Sequence, residues 1–249
     1  MRLGPTRRGL TLAAVAAGAG ASFAQTPIVP AAPLIYYGGA AGRLTMDRDD
    51  RGGNPLASAL IDVLGVTPIT LAEFGPSLAA ATSRHAGGWQ LVETPRKLAD
   101  PNWTLTSDPN QSRVALVLIN SDYLSKGVAS LPGARRDAKR LPAALSAAGF
   151  KTTLVLDADD EAVRAALLAF GLASASADAS IIFLGGHGIQ HRRVVYWMMR
   201  DYPDRDSKWL STHALSLSEI ARRAQARNAN LILYGGCRDD PFNQEASTE

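Results

Sequence analysis

Apolar runs alternate with amphipathic stretches through the second half of the chain. Arg113 to Ile119 (R-V-A-L-V-L-I), Thr152 to Leu156, Ile181 to Leu184 and Leu231 to Tyr234 read as strands, the more apolar of them buried on both faces. Between them the period becomes helical. One helix spans about Ala134 to Ala148 and stops at Gly149; a second, capped by Asp159, carries Val163, Leu167 and Phe170 on its apolar face; Leu217 to Ala226 follows a polar excursion. Strand and helix alternate at roughly the ~30-residue interval of a βαβ repeat, which predicts an α/β fold around a mostly parallel sheet.

The first half is less regular. Leu34 to Tyr37 predicts a short strand, Asn54 to Leu64 an amphipathic helix, and Leu71 to Thr82 a second helix interrupted at Gly75-Pro76. The polar stretch from Leu91 to Gln111, with Pro95, Pro101 and Pro109, reads as a connector. No internal repeat stands out.

Composition adds little to this picture until it is divided along the chain. The 249 residues are 46% hydrophobic and 20% charged, ordinary for a globular protein with one sizeable core. The formal charge of +3 comes from Arg2, Arg7 and Arg8; without them basic and acidic side chains are equal in number. Charge therefore gives no case for a nucleic-acid partner or an anionic membrane. Residues 1–24 have a basic start, an apolar stretch from Gly9 to about Gly20 and small residues at Ser22-Phe23-Ala24, the layout of an export signal. The paired Arg7 and Arg8 in T-R-R-G-L-T-L give it a twin-arginine character, and a periplasmic or secreted location follows as the expectation. After cleavage nothing ties the chain to a membrane, because the apolar stretch is far shorter than the ~20 residues of a spanning helix.

Two strands end in chemistry. Ile181 to Leu184 runs into G-G-H-G at Gly185 to Gly188, and Leu231 to Tyr234 runs into G-G-C-R-D-D-P-F at Gly235 to Phe242. Ligands of open α/β sheets bind at the carboxyl ends of strands. If the two strands are neighbours, at the ~4.8 Å spacing of a sheet, His187 and Cys237 come within working range of each other. A thiol that is partly thiolate, an imidazole to move protons and backbone amides facing an oxyanion make a Cys-His hydrolase. Gly188 is expected to let the chain turn past His187 and to leave its N–H, with that of Cys237, as oxyanion donors. Cys237 is the only cysteine, and its glycine flanks argue against a packed structural role. His85, His191 and His213 lack such flanks and are expected on the surface or in loops.

These motifs carry a resemblance. The stretch from Arg113 to Phe242 resembles the large-subunit portion of bacterial caspase-like and metacaspase cysteine peptidases: R-V-A-L-V-L-I-N-S-D-Y, then L-P-G-A-R-R-D-A, A-A-G-F-K-T-T, G-G-H-G and C-R-D-D-P-F, in order. The 50-residue separation of His187 and Cys237 agrees with caspase spacing. The resemblance implies a three-layer sandwich with a mostly parallel sheet flanked by helices, and a peptide or protein substrate. It implies Cys237 as nucleophile, His187 as acid and base, Gly188 as oxyanion donor, and Asp137 of R-R-D-A as substrate-binding acid for an Arg or Lys before the cleaved bond. Two departures stand out: Gly235 lies where the family usually has an acid, and Gly185 where it often has a serine. Some metacaspases need calcium, but neither Asp47-Asp49-Asp50 nor Asp157-Asp159-Asp160 has the spacing of a calcium loop, so no cofactor is expected.

Residues 26–90 are similar to the small-subunit segment of the same family, with L-I-Y-Y-G-G-A-A-G-R-L-T-M followed by D-R-D-D-R-G-G-N-P-L-A-S-A-L. They precede the large-subunit-like residues 112–249 instead of following them, with 91–111 as the connector, which implies a circularly permuted order. The rival expectation is an inactive relative serving as a binding or scaffolding module. A nucleotide-binding domain is disfavoured, since no strand runs into a phosphate-cradling glycine loop.

Overall fold

The computed structural model describes residues 29–106, 108–204 and 206–240. The export-signal reading of residues 1–24 lies outside them. The chain runs through β1 (Pro33–Tyr37), α1 (Pro55–Leu64), β2 (Ile69–Thr70), α2 (Leu71–His85), β3 (Thr104–Leu105), β4 (Arg113–Ile119), α3 (Pro132–Ala147), β5 (Lys151–Leu156), α4 (Asp160–Ser174) and β6 (Ala179–Gly185). It continues through β7 (Gly188–His191), β8 (Val194–Met198), α5 (Leu210–His213), β9 (Ala214–Ser216), α6 (Leu217–Ala221) and β10 (Ala229–Tyr234).

Five strands form one parallel sheet in the order β1-β10-β6-β4-β5. Parallel strands need crossovers, and crossovers are right-handed, so the direction of travel across the sheet decides which face a helix covers. The chain moves one way from β1 to β4 and from β4 to β5, and α1, α2 and α3 share one apolar layer with Ala115, Val117 and Ile119 of β4. It moves back from β5 to β6 and on to β10, and α4 and α6 cover the opposite face with Leu116 and Leu118. The result is the three-layer α/β sandwich expected. Strands β6 and β10 are buried at every residue, which is why their sequences read as unbroken apolar runs.

Successive crossovers leave β6 and β4 in opposite directions, so the sheet has a switch point where their carboxyl ends diverge. The loops after β1, β4, β6 and β10 all emerge at this end of the sheet.

Several expectations need correction. Helix α2 runs unbroken through Pro76: a capping box of Thr70 and Glu73 starts it, and buried Phe74 and Leu78 on either side of Pro76 hold it. The 91–111 connector is not a bare tether, since β3 pairs with β2, Glu93 bridges to Tyr37, and Leu105 is buried. The polar excursion before residue 217 holds the antiparallel sheet β7-β8-β9, and the helix after it ends at Ala221, not Ala226. The three histidines set aside as surface or loop residues lie at the end of α2, in β7 and at the end of α5. Each meets a carboxylate: His85 with Asp62 at 2.8 Å, His191 with Asp240 at 3.1 Å and His213 with Asp201 at 2.9 Å. No helix among the described residues is long and apolar enough to cross a membrane.

Candidate active site

His187 follows β6 and Cys237 follows β10, and these strands are hydrogen-bonded neighbours with Leu184 opposite Tyr234. Both residues line the same two cavities. One, of about 110 Å³, adds Thr45, Asp47, Asn54 and Asp137; the other, of about 200 Å³, adds Leu44, Ala129, Gly188 and Met198. A larger groove of about 440 Å³ at Arg164, Glu219 and Arg222 holds neither thiol nor imidazole.

The histidine is oriented from the loop after β4. Its Nε2 lies 2.8 Å from the carbonyl oxygen of Ala129. A carbonyl only accepts, so Nε2 carries the proton and Nδ1 is the basic nitrogen of the neutral ring. The backbone N–H of His187 donates to the Tyr123 hydroxyl at 2.7 Å, and the two rings lie 5.0 Å apart. Burial pushes the Tyr123 phenol well above its usual range, so it stays a neutral hydrogen-bonding prop.

Glycines let these props come close. The turn before the histidine is made at Gly186, with φ of +134°, and not at Gly188 as expected; a Cβ there would lie 2.9 Å from the Tyr123 hydroxyl. At Gly188 the requirement is space. A Cβ would sit 1.4 Å from the hydroxyl of Tyr234, whose single proton is shared between the carbonyls of Tyr196 at 2.9 Å and Cys237 at 3.1 Å.

Cys237 is half-buried and meets a residue from the other end of the chain. Thr45, in the loop after β1, directs its N–H at Sγ from 3.4 Å, places Oγ1 3.6 Å from Sγ, and donates Oγ1–H to the Gly235 carbonyl at 2.9 Å. The next residue, Arg238, ties the loop down. Its guanidinium lies over the Tyr37 ring at 4.0 Å and donates to Gln190 at 3.0 Å, Gly39 at 3.2 Å and Glu93 at 2.5 Å. Sequence reasoning missed Thr45, Ala129, Tyr123 and Arg238 as parts of this site.

Asp137 lines the smaller cavity, and both its oxygens are engaged. Oδ2 accepts the N–H of Asn54 at 2.9 Å, and Oδ1 accepts from Arg140 Nε at 2.8 Å. Asn54 also occupies the space near Gly235, its amide bonding the carbonyls of Met46 at 2.7 Å and Gly235 at 3.3 Å. Asp47 faces the same cavity while accepting from the N–H groups of Gly133 and Ala134 at the start of α3.

Burial raises Asp137 from 3.8 to about 6 despite Asn54 and Arg140. The folded state therefore holds this proton more tightly than the unfolded chain. Its contribution favours folding below pH 3.8 and is lost as pH rises through about 6. Asp137→Asn is expected to gain on the wild type by about 2–3 kcal/mol between pH 4 and 7, at ~1.4 kcal/mol per unit. Urea unfolding of both proteins at each pH checks this; parallel curves would contradict it.

The other acidic clusters are explained by scaffolding. Asp157 accepts from the N–H groups of Ser121 and Asp122, Asp159 caps α4, and Asp160 pairs with Arg164. Asp49, Asp50 and His85 lie close enough to share an ion, but an imidazole among two carboxylates does not fit calcium, which takes oxygen ligands.

No curated protein matches the chain. A family model described as the caspase domain matches residues 112–249, more than half of the sequence, and spans both His187 and Cys237. The chain belongs to the caspase domain family of cysteine peptidases.

Proposed function

We propose that the chain is a cysteine endopeptidase that cleaves peptide bonds through a thioester at Cys237. The observation that carries this is the shared wall: His187 and Cys237 line both cavities at the ends of adjacent strands. Nδ1 of His187 takes the thiol proton, and the thiolate attacks the scissile carbonyl. The N–H groups of Gly188 and Cys237 face the resulting oxyanion. His187 returns the proton to the leaving amine, then activates the water that releases the acyl group. A thiol-reactive peptide probe should label the wild type at Cys237 and leave Cys237→Ala unlabelled. Absence of labelling in the wild type favours the scaffolding alternative.

The site favours a metacaspase-like preference for Arg or Lys before the cleaved bond, but a weak one. Asp137 already faces Arg140, and Gly235 supplies no second acid. The rearranged order is supported by β1, which pairs in parallel with β10 from Pro33↔Asn230 to Tyr37↔Tyr234 although it precedes the family-matched residues. In this arrangement the small-subunit-like strand is already in place beside the cysteine strand, so activity needs no cut between subunits.

Export through Arg7 and Arg8 completes the proposal, resting on the pair followed by Gly9-Leu10. Replacing both by lysine is expected to strand the protein in the cytoplasm. Undiminished periplasmic protein would point to general secretion.

A further inference from the structure

We infer that Thr45 is a positioning residue for the Cys237 nucleophile, holding Sγ in its attacking rotamer. The inference rests on the peptidase reading and assigns a task to a residue 67 positions before the family-matched segment begins. Three observations carry it.

The first is contact. One residue offers Sγ both a backbone N–H, at 3.4 Å, and a hydroxyl, at 3.6 Å. The N–H is a fixed dipole aimed at the sulfur, so it restrains where Sγ sits. The second is the hydroxyl's other bond, to the Gly235 carbonyl two residues before the cysteine, at 2.9 Å. With that proton committed to Gly235, Oγ1 and the Thr45 carbonyl oxygen, 3.6 Å and 4.0 Å from Sγ, are the acceptors that Thr45 offers the S–H of the neutral thiol. Once Nδ1 of His187 has taken the thiol proton, the hydroxyl turns and donates to the thiolate. No proton leaves Thr45, so it orients and does not act as acid or base. The third is rigidity. A Cβ built on Gly39 would lie 2.9 Å from Cγ2 of Thr45, so backbone closes on the methyl group while the hydroxyl faces the sulfur. A β-branched side chain held in this way has little freedom at χ1.

Alkylation of Cys237 by iodoacetamide tests this without any peptide substrate, and the single cysteine makes the readout unambiguous. Rates are measured from pH 5 to 9 on the full chain for the wild type, Thr45→Val and Thr45→Ser. Thr45→Val keeps the shape and loses the hydroxyl. Its rate is expected to fall about three- to tenfold across the range, as for loss of one ordinary hydrogen bond. Thr45→Ser is expected within about twofold of the wild type. If Thr45→Val does not fold, Thr45→Ala against Thr45→Ser carries the same comparison. Superimposed rate–pH curves would overturn the inference, as would equal losses in both variants that track their melting temperatures. Peptide turnover measured alongside separates the two readings. Turnover with superimposed curves removes only the role of Thr45; a lowered Thr45→Val curve without turnover in the wild type removes only the peptidase.

Discussion

Cys237→Ala is expected to remove peptide hydrolysis, and His187→Ala nearly as much, with kcat reduced by about 10³-fold or more in each. The two losses do not add. A thiol without a base is mostly protonated at neutral pH, and a base without a nucleophile has nothing to activate, so the double variant sits close to either single one. Neither substitution threatens the fold. Cys237 lies in the loop beyond β10 and is part-exposed, and its hydrogen-bonding contacts are those at Thr45 and Tyr234. His187 keeps its backbone bond to Tyr123 whatever its side chain. Far-UV circular dichroism and urea unfolding should therefore match the wild type while turnover of a peptide library disappears. Equal turnover by the wild type and Cys237→Ala would sink the assignment of the nucleophile.

The parts of this site that could be read in the sequence share a physical reason. His187 and Cys237 each follow a run of apolar residues buried on both faces and sit among glycines, so both the strand and the exposed backbone beyond it leave a local trace. Thr45 and Ala129 leave none. Ala129 acts through its carbonyl, which every residue carries, and Thr45 reaches the sulfur only because β1 pairs with β10. The hairpin of β7 and β8 escaped for a different reason. Its two-residue turn is Arg192-Arg193, both at positive φ, where glycine or asparagine is the usual marker. In α2 the reverse happened: Pro76 is a strong local break signal, and the burial of Phe74 and Leu78 overrides it.

The Asp137 cavity was legible as a place and not as a charge. Arg140 sits one turn along the same helix from the acid, but the bond from Asn54 depends on α1 packing beside α3. Buried at both oxygens, this carboxylate looks more like a wall of the cavity than a free counter-ion for a substrate.

Gly188→Ala should damage fold and site together. The added methyl carbon would lie 1.4 Å from Oη of Tyr234, 2.6 Å from its Cζ and 2.9 Å from the carbonyl oxygen of Cys237. Tyr234 has no room to retreat: it is fully buried in β10, and its hydroxyl bonds two carbonyls, so moving it strands those groups. The strain must instead push the His187 strand away from the Cys237 loop. Overpacking of this kind costs about 1–3 kcal/mol, and separating a buried hydroxyl from its partners adds about 1–3 kcal/mol. A stability loss of about 2–6 kcal/mol is expected by urea unfolding, with kcat/KM reduced by at least ~10²-fold in molecules still folded, since small displacements of reacting groups are that costly. Tyr234→Phe tells the two contributions apart. It removes the 1.4 Å contact and leaves the one at 2.6 Å, so the double variant should recover part of the stability and less of the activity. A Gly188→Ala protein with wild-type stability and turnover would show that the two catalytic loops are not locked through Tyr234.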